Sequence, residues 1–144
     1  MSARVQTESF DLAAELAGFG ADAGAVVTFQ GLVRSEDGRL TALELEHYPG
    51  MTEKALTRFG EEAAARFGLS DWRIIHRYGT LAVGETIMMV ACAARHRADA
   101  FDGAMYLMDW LKSRAPFWKR EITADGPGEW VDAKDTDEAA LSRW

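Results

Sequence analysis

Apolar residues recur along this chain with two periods, and the switches between them divide it into elements. Phe10 to Phe19 predicts a short helix opened by Ser9 or Asp11 as its cap. Gly24 to Arg34 is rich in strand formers (Val26, Val27, Phe29, Val33), and Leu40 to Tyr48 sets Leu43, Leu45 and His47 against Glu44, Glu46 and Tyr48. Between them Ser35-Glu36-Asp37-Gly38-Arg39 supplies turn chemistry, so the two runs are expected to pair as a hairpin. Pro49-Gly50 stops the second strand, and Met51, Ala55, Phe59, Ala63 and Phe67 then recur at the spacing of one helical face, up to Gly68. Trp72 to Tyr78 and Thr86 to Ala94 predict two more strands, separated by Gly79 and a turn at Val83-Gly84-Glu85. A second long helix is expected from about Ala98 to Arg114, followed by a short hairpin over 121–131 around Asp125-Gly126-Pro127-Gly128. Asp135 to Glu138 has the form of a capping box for a last turn or two. The order β-β-α-β-β-α-β-β predicts an α+β fold with a mainly antiparallel sheet.

Composition changes this picture little. At 144 residues, 48% hydrophobic and 27% charged, the chain fits a single domain, 1–144, that has a core without staples. Its one cysteine, Cys92, lies within the apolar run Ile87 to Ala94, and a buried strand thiol is the expectation. The N-terminus carries no apolar leader and no stretch approaches the length of a membrane span, so a soluble, cytoplasmic protein is expected. A net charge of -7 argues against nucleic acid as a partner, because phosphate-backbone binding needs an extended basic face.

Charge matters locally instead. Leu111 to Glu121, LKSRAPFWKRE, holds Lys112, Arg114, Lys119 and Arg120 beside Pro116, Phe117 and Trp118, a reversal of sign that suits a small anion. On a helical wheel Phe101, Met105, Met108 and Lys112 share one sector, expected to be the buried stripe, while Asp102, Tyr106, Asp109 and Ser113 form the expected wet face. Two readings of Lys112 stay open. Its ammonium snorkels to solvent from the end of the stripe, or it emerges in a partly desolvated pocket where burial and like charge favour the neutral amine. Pro116 ends the helix, so Lys119 is free to approach the same place from a second side. His96-Arg97, at the start of the second helix, would form an anion cradle with the helix N-terminal N–H groups, or else a solvated loop pair. Arg34, ending the first strand, is a weaker candidate. His47 and His76 fall within strand patterns and are expected to be structural; no metal-spacing cluster or glycine-rich phosphate loop is present, so no metal or cofactor is expected.

These constellations, with Leu45 to Leu56 (LEHYPGMTEKAL) and the run LKSRAPFWKRE, closely resemble the MoaE family of molybdopterin synthase large subunits. The likeness extends from about Gly24 to Trp144. It implies an α/β-hammerhead fold, a homodimer of large subunits and a small ubiquitin-like subunit at each end of a heterotetramer. It also implies an activity: transfer of sulfur from the small subunit's C-terminal Gly-Gly thiocarboxylate to cyclic pyranopterin monophosphate (precursor Z), in molybdenum cofactor biosynthesis. By position, Lys112 and Lys119 match the family's active-site lysines, Lys112 for acid/base work or transient acyl capture and Lys119 for substrate charge and proton transfer. His96, Arg97 and Arg34 match its anion-binding set, with Leu32, Val33, Arg120 and Glu121 lining the same pocket. Two positions depart from the pattern: Leu32 stands where relatives often have lysine, and Lys134 where they often have an arginine that reaches across the dimer. Lysine keeps the charge there but loses the bidentate fork. A non-catalytic module docking a ubiquitin-like tail is the competing class; a neutral tail alone would not call for both lysines and His96-Arg97.

Overall fold

In the computed structural model, which describes residues 1–132 and 135–144, the chain begins with β1 (Ser2–Gln6), α1 (Leu12–Leu16), β2 (Ala25–Leu32), β3 (Leu40–His47) and α2 (Met51–Phe67). It continues through β4 (Asp71–Arg77), β5 (Gly79–Ala82), β6 (Thr86–Ala94) and α3 (Arg97–Arg114), then β7 (Phe117–Thr123), β8 (Gly126–Pro127), α4 (Asp135–Ala140) and a closing 3-10 turn, Leu141–Arg143. The mixed α+β class expected from the sequence is what forms. Lys134 lies outside the described residues. No helix among those described is long and apolar enough to cross a membrane.

Two four-stranded sheets share the work. The first has the order β1-β4-β6-β2, with β1 parallel to β4 and the other pairs antiparallel. β6 is buried on both faces, which explains its unbroken apolar run. Met88, Val90, Cys92 and Ala94 pack with α2 and α3 in the main core, while Met89 and Ala91 face Phe10, Leu12, Leu16 and Phe19 around α1. Trp72, Phe59, Leu56, Ile74 and Leu107 are among the large side chains sealed inside, each worth about 1.5–3 kcal/mol of burial. The second sheet, β5-β3-β7-β8, is antiparallel throughout.

Four expectations need correction. The hairpin expected between the first two predicted strands does not form: β2 pairs with β6 and β3 pairs with β5 and β7, so the turn at 35–39 carries the chain from one sheet to the other. Turn residues signal a reversal of direction, but they do not choose the partner. The tail hairpin closes tightly at Ile122↔Pro127 and Thr123↔Gly126, and its first strand starts earlier than expected, immediately after Pro116. Lys119 therefore sits in a strand. Two strands, β1 and β5, escaped the pattern altogether.

The fourth correction concerns α3, whose buried face is largely the reverse of the expected one, although Asp102 is exposed and Met108 packs against the core as expected. Phe101 is 62% exposed, Met105 45%, and Lys112 is exposed, whereas Tyr106, Asp109 and Ser113 are buried at 5%, 7% and 8%. Small residues decide this. A Cβ on Gly103 would come within 2.9 Å of Leu69 Cδ2, so α3 approaches that side of the core through its glycine. Asp109, Ser113 and Tyr106 on this face have partners, while the buried Trp110 indole N–H has none among the described residues. Asp109 accepts from the Trp144 indole at 2.6 Å, Ser113 Oγ donates to the Asp137 carbonyl at 2.6 Å, and the Tyr106 hydroxyl donates to Glu62 at 3.3 Å. The C-terminal segment thus covers what a wheel of hydrophobicity alone assigns to water.

Candidate functional site

The two motif runs that carry the resemblance, distant in sequence, are neighbours in space. β3 and β7 pair with Glu46 opposite Trp118 and His47 opposite Phe117, and the Tyr48 and Trp118 rings meet edge to face at 4.6 Å. Beside this ribbon, where the first sheet, the second sheet and the end of α3 come together, lies a cavity of about 740 Å³.

Its walls are mainly apolar: Phe29, Leu45, Ile87, Met108 and Leu111 contribute, with Trp118 from β7. Lys112 enters from the last turn of α3 and Lys119 from the third position of β7. The break at Pro116 separates them, so the two cations reach one cavity from two elements. The backbone of Lys119 is fixed by reciprocal hydrogen bonds with Val131, at 3.1 and 2.7 Å. An apolar wall lowers the local dielectric, which strengthens any interaction these ammonium groups make with an anion.

The other residues singled out by sequence divide into two groups. Leu32, Val33 and Arg34 line the cavity at the end of β2. Val33 is buried, its N–H donating to the Glu85 carbonyl, and Leu32 is half exposed. The Arg34 guanidinium is exposed and pairs with Glu36 at 2.6 Å. Arg120 and Glu121 do not line the cavity. Arg120 instead pairs with Glu44 at 2.9 Å with its guanidinium 4.5 Å from the centre of the Trp130 ring, and Glu121 is exposed, its carbonyl accepting from the Gly128 N–H. His96 caps α3 and Arg97 opens it, both exposed. Fifteen residues of helix, about 22 Å at 1.5 Å per residue, separate Arg97 from Lys112. One chain cannot bring them to the same small ligand.

Sequence reasoning missed His76. Expected to be structural, it is 9% exposed yet forms part of the cavity wall. Its ring stacks on Phe117 at 3.9 Å and 21°, and its Nδ1 lies 2.8 Å from the Arg77 carbonyl. Burial, with smaller contributions from Lys112 and His47, lowers its pKa to about 4 against the opposing pull of that backbone hydrogen bond. The available signal was the Ile75-His76-Arg77 run itself, a polar pair ending a strand that is otherwise buried. Cys92 is fully buried with its pKa pushed up to about 12, so the chain carries no reactive thiol. Among the described residues no group of His, Cys, Asp and Glu is arranged to hold a metal ion.

The sequence and the fold are similar to those of known proteins. Residues 5–114 match the family described as "MoaE protein". The molybdopterin synthase catalytic subunit of Cereibacter sphaeroides is 57% identical over 147 residues, covering 100% of both chains. Among solved structures, the molybdopterin biosynthesis MoaE protein of Burkholderia ambifaria superposes with a TM-score of 0.85 at 50% identity, over 99% of this chain and 97% of that one. A Helicobacter pylori complex of subunits 1 and 2 of molybdopterin-converting factor shares the fold, with a TM-score of 0.74 at 19% identity over 92% of this chain and 90% of that one. With a family match over most of its length and a full-length relative sharing more than half of its residues, the chain belongs to the MoaE family.

Proposed function

We propose that this protein is the catalytic subunit of a molybdopterin synthase, a sulfurtransferase of molybdenum cofactor biosynthesis. In this reading it moves sulfur twice, one atom from the C-terminal thiocarboxylate of each of two small ubiquitin-like subunits in turn, to cyclic pyranopterin monophosphate, forming the molybdopterin dithiolene. The observation that carries the proposal is the meeting of Lys112 and Lys119 in one apolar cavity of a protein with net charge -7.

The chemistry follows from that arrangement. An extended Gly-Gly tail has no side chains to accommodate, and Phe29 and Leu32 of the cavity wall expose apolar surface to it at 41% and 51%. The sulfur of the thiocarboxylate is the nucleophile, and the acyl–sulfur bond of the resulting thioester is broken by water, directly or after transfer of the acyl group to the Lys112 amine, which leaves the small subunit with a C-terminal carboxylate. Opening the cyclic phosphate and releasing sulfur from the acyl group both develop negative charge on oxygen, and preformed cations in a low-dielectric cavity stabilise it where it develops. Lys112 takes the acid/base or acyl-capturing role beside the tail, Lys119 the phosphate side with proton transfer, and Arg34 supplies further positive charge at the cavity mouth. The H. pylori complex of two subunits supports a small-subunit partner by likeness of fold.

His96 and Arg97 take their place in a homodimer. Because they stand about 22 Å along α3 from Lys112, we assign them to the substrate site of a second copy, together with Arg120, Glu121 and Lys134 as residues that a partner or substrate engages. The dimer is tested by light scattering on the purified chain, which should read twice the 15.9 kDa mass of one chain; a monomer at all concentrations refutes it.

The activity is tested by mixing the chain with thiocarboxylated small subunit and the cyclic pterin precursor. Dithiolene should form, and Lys112→Ala should abolish it with the fold intact, because Lys112 is exposed and contributes little to packing. No product with the wild-type chain, or near-normal turnover with Lys112→Ala, would sink the assignment.

A further inference from the structure

Resting on the proposed sulfur-transfer site, we infer that His76 is a positioning residue: its bare Nε2 lone pair faces the cavity and is the acceptor that Lys112 engages when its amine, exposed at rest, turns inward over the site. The ring's tautomer follows from its anchor. The Arg77 carbonyl, 2.8 Å from Nδ1, can only accept, so Nδ1 carries the proton and the neutral ring leaves Nε2 bare. Nε2 has no hydrogen-bond partner among the described residues, and it is not among the polar side-chain atoms sealed without one. It therefore opens to the cavity that His76 and Lys112 both line.

The ring's position is fixed on two sides. Phe117 stacks on one face. The Arg77 carbonyl holds one edge, and Arg77 is itself buried, its guanidinium donating to the Thr7 and Thr86 carbonyls at 3.0–3.1 Å. Phe117 is also the first residue of β7, so the turn that separates the two lysines is the one that seats the histidine. An acceptor set this rigidly selects one orientation for a side chain that otherwise has four rotatable bonds and reaches solvent.

The charged groups around the ring agree with an acceptor and disagree with a base. Lys112 approaches from α3 and His47 from β3, whose own Nδ1 is 3.0 Å from the Thr52 hydroxyl; since that hydroxyl donates to the Tyr48 carbonyl, His47 donates to it. Arg34, Lys119, Asp132 and Asp137 are the other charged residues of the cavity wall, with Gln30 and Ser35 as neutral polar ones. Burial and the neighbouring cation keep His76 uncharged at neutral pH, so it takes a hydrogen bond from the lysine without competing for its proton. Its effect on the reaction is one of placement.

Two variants separate placement from packing. His76→Phe keeps a ring on Phe117 and removes the acceptor; His76→Gln returns an amide oxygen near the reach of Nε2. In the reconstituted sulfur-transfer assay His76→Phe should lower kcat about 100-fold, the scale of a misplaced reacting group, with KM for the small subunit little changed. His76→Gln should recover most of that loss. A second readout does not depend on turnover: the rate of reductive methylation of Lys112 with formaldehyde and cyanoborohydride at neutral pH, followed by mass spectrometry. An amine that turns inward is shielded for part of the time, so His76→Phe should be labelled faster than wild type and His76→Gln should return toward the wild-type rate. Wild-type kcat in His76→Phe, or equal losses in both folded variants with an unchanged Lys112 labelling rate, would overturn the inference. A wild-type chain that forms no dithiolene refutes the proposed function instead, and the Lys112 labelling rate still reads the His76 contact.

Discussion

Asp109 offers the sharpest test of how this fold is held, because a residue expected on the wet face of α3 is buried at 7% and ties down the end of the chain. Its Oδ2 accepts from the Trp144 indole at 2.6 Å and from Arg143 Nε at 3.1 Å, and its Oδ1 from Arg143 Nη2 at 3.3 Å. Trp144 packs edge to face on Phe67 and Tyr106 at 5.5 and 5.4 Å, with the Arg66 guanidinium 5.6 Å from its ring centre. In Asp109→Ala the Arg143 side chain, 47% exposed, regains water and costs little, so the loss is dominated by the bond from the indole to a carboxylate. Such a charged hydrogen bond contributes about 1.5–3 kcal/mol. For a chain of this length that corresponds to a fall in Tm of about 5–10 °C by calorimetry. A double-mutant cycle with Trp144→Phe isolates the pair: each single change removes the same bond, so the double variant should be less destabilised than the sum by about 1.5 kcal/mol or more. A Tm fall under about 2 °C, or additivity within about 0.5 kcal/mol, would refute the C-terminal clamp.

Two further outcomes follow from buried titratable groups. His76 has a folded pKa of about 4 against 6.5 unfolded, so the unfolded chain binds the extra proton between those values. Stability conferred by the neutral ring is therefore complete above about pH 6.5 and lost as pH falls toward 4, by about 3 kcal/mol in all; urea unfolding from pH 7 to 4 should show this component in the wild type and lack it in His76→Phe, and identical slopes would contradict it. Cys92, with its thiol pushed up to about 12, should resist iodoacetamide at pH 8 in the folded protein and react at once in urea; rapid native labelling would place the thiol at the surface.

The helices and strands of this chain were legible where local periodicity is strong. α2 begins after Gly50, whose N–H donates to Glu53 at 2.8 Å, and ends at Gly68 with φ 65°, a left-handed cap that the pattern anticipated. α3 ends at Pro116 for the same kind of local reason. β1 was illegible because five residues at the terminus carry no pattern of their own; parallel pairing with β4 makes them a strand. Part of the candidate site was legible as well. The cationic run and the proline that splits it are written in consecutive residues, and both lysines do line one cavity. His76 was not, because its position depends on Phe117 from a strand far along the chain.

The sequence by itself determined the class of fold, most element boundaries and the family, since caps, breakers and long motifs are read within a few residues of one another. Tertiary structure alone decided that β2 and β3 belong to different sheets, that the C-terminal segment covers the polar face of α3, and that His96 and Arg97 stand a helix length away from Lys112. Each of these turns on which distant surface satisfies a hydrogen bond or fills a contact. A hydrophobicity pattern records that a group prefers to be covered, and carries no record of what covers it.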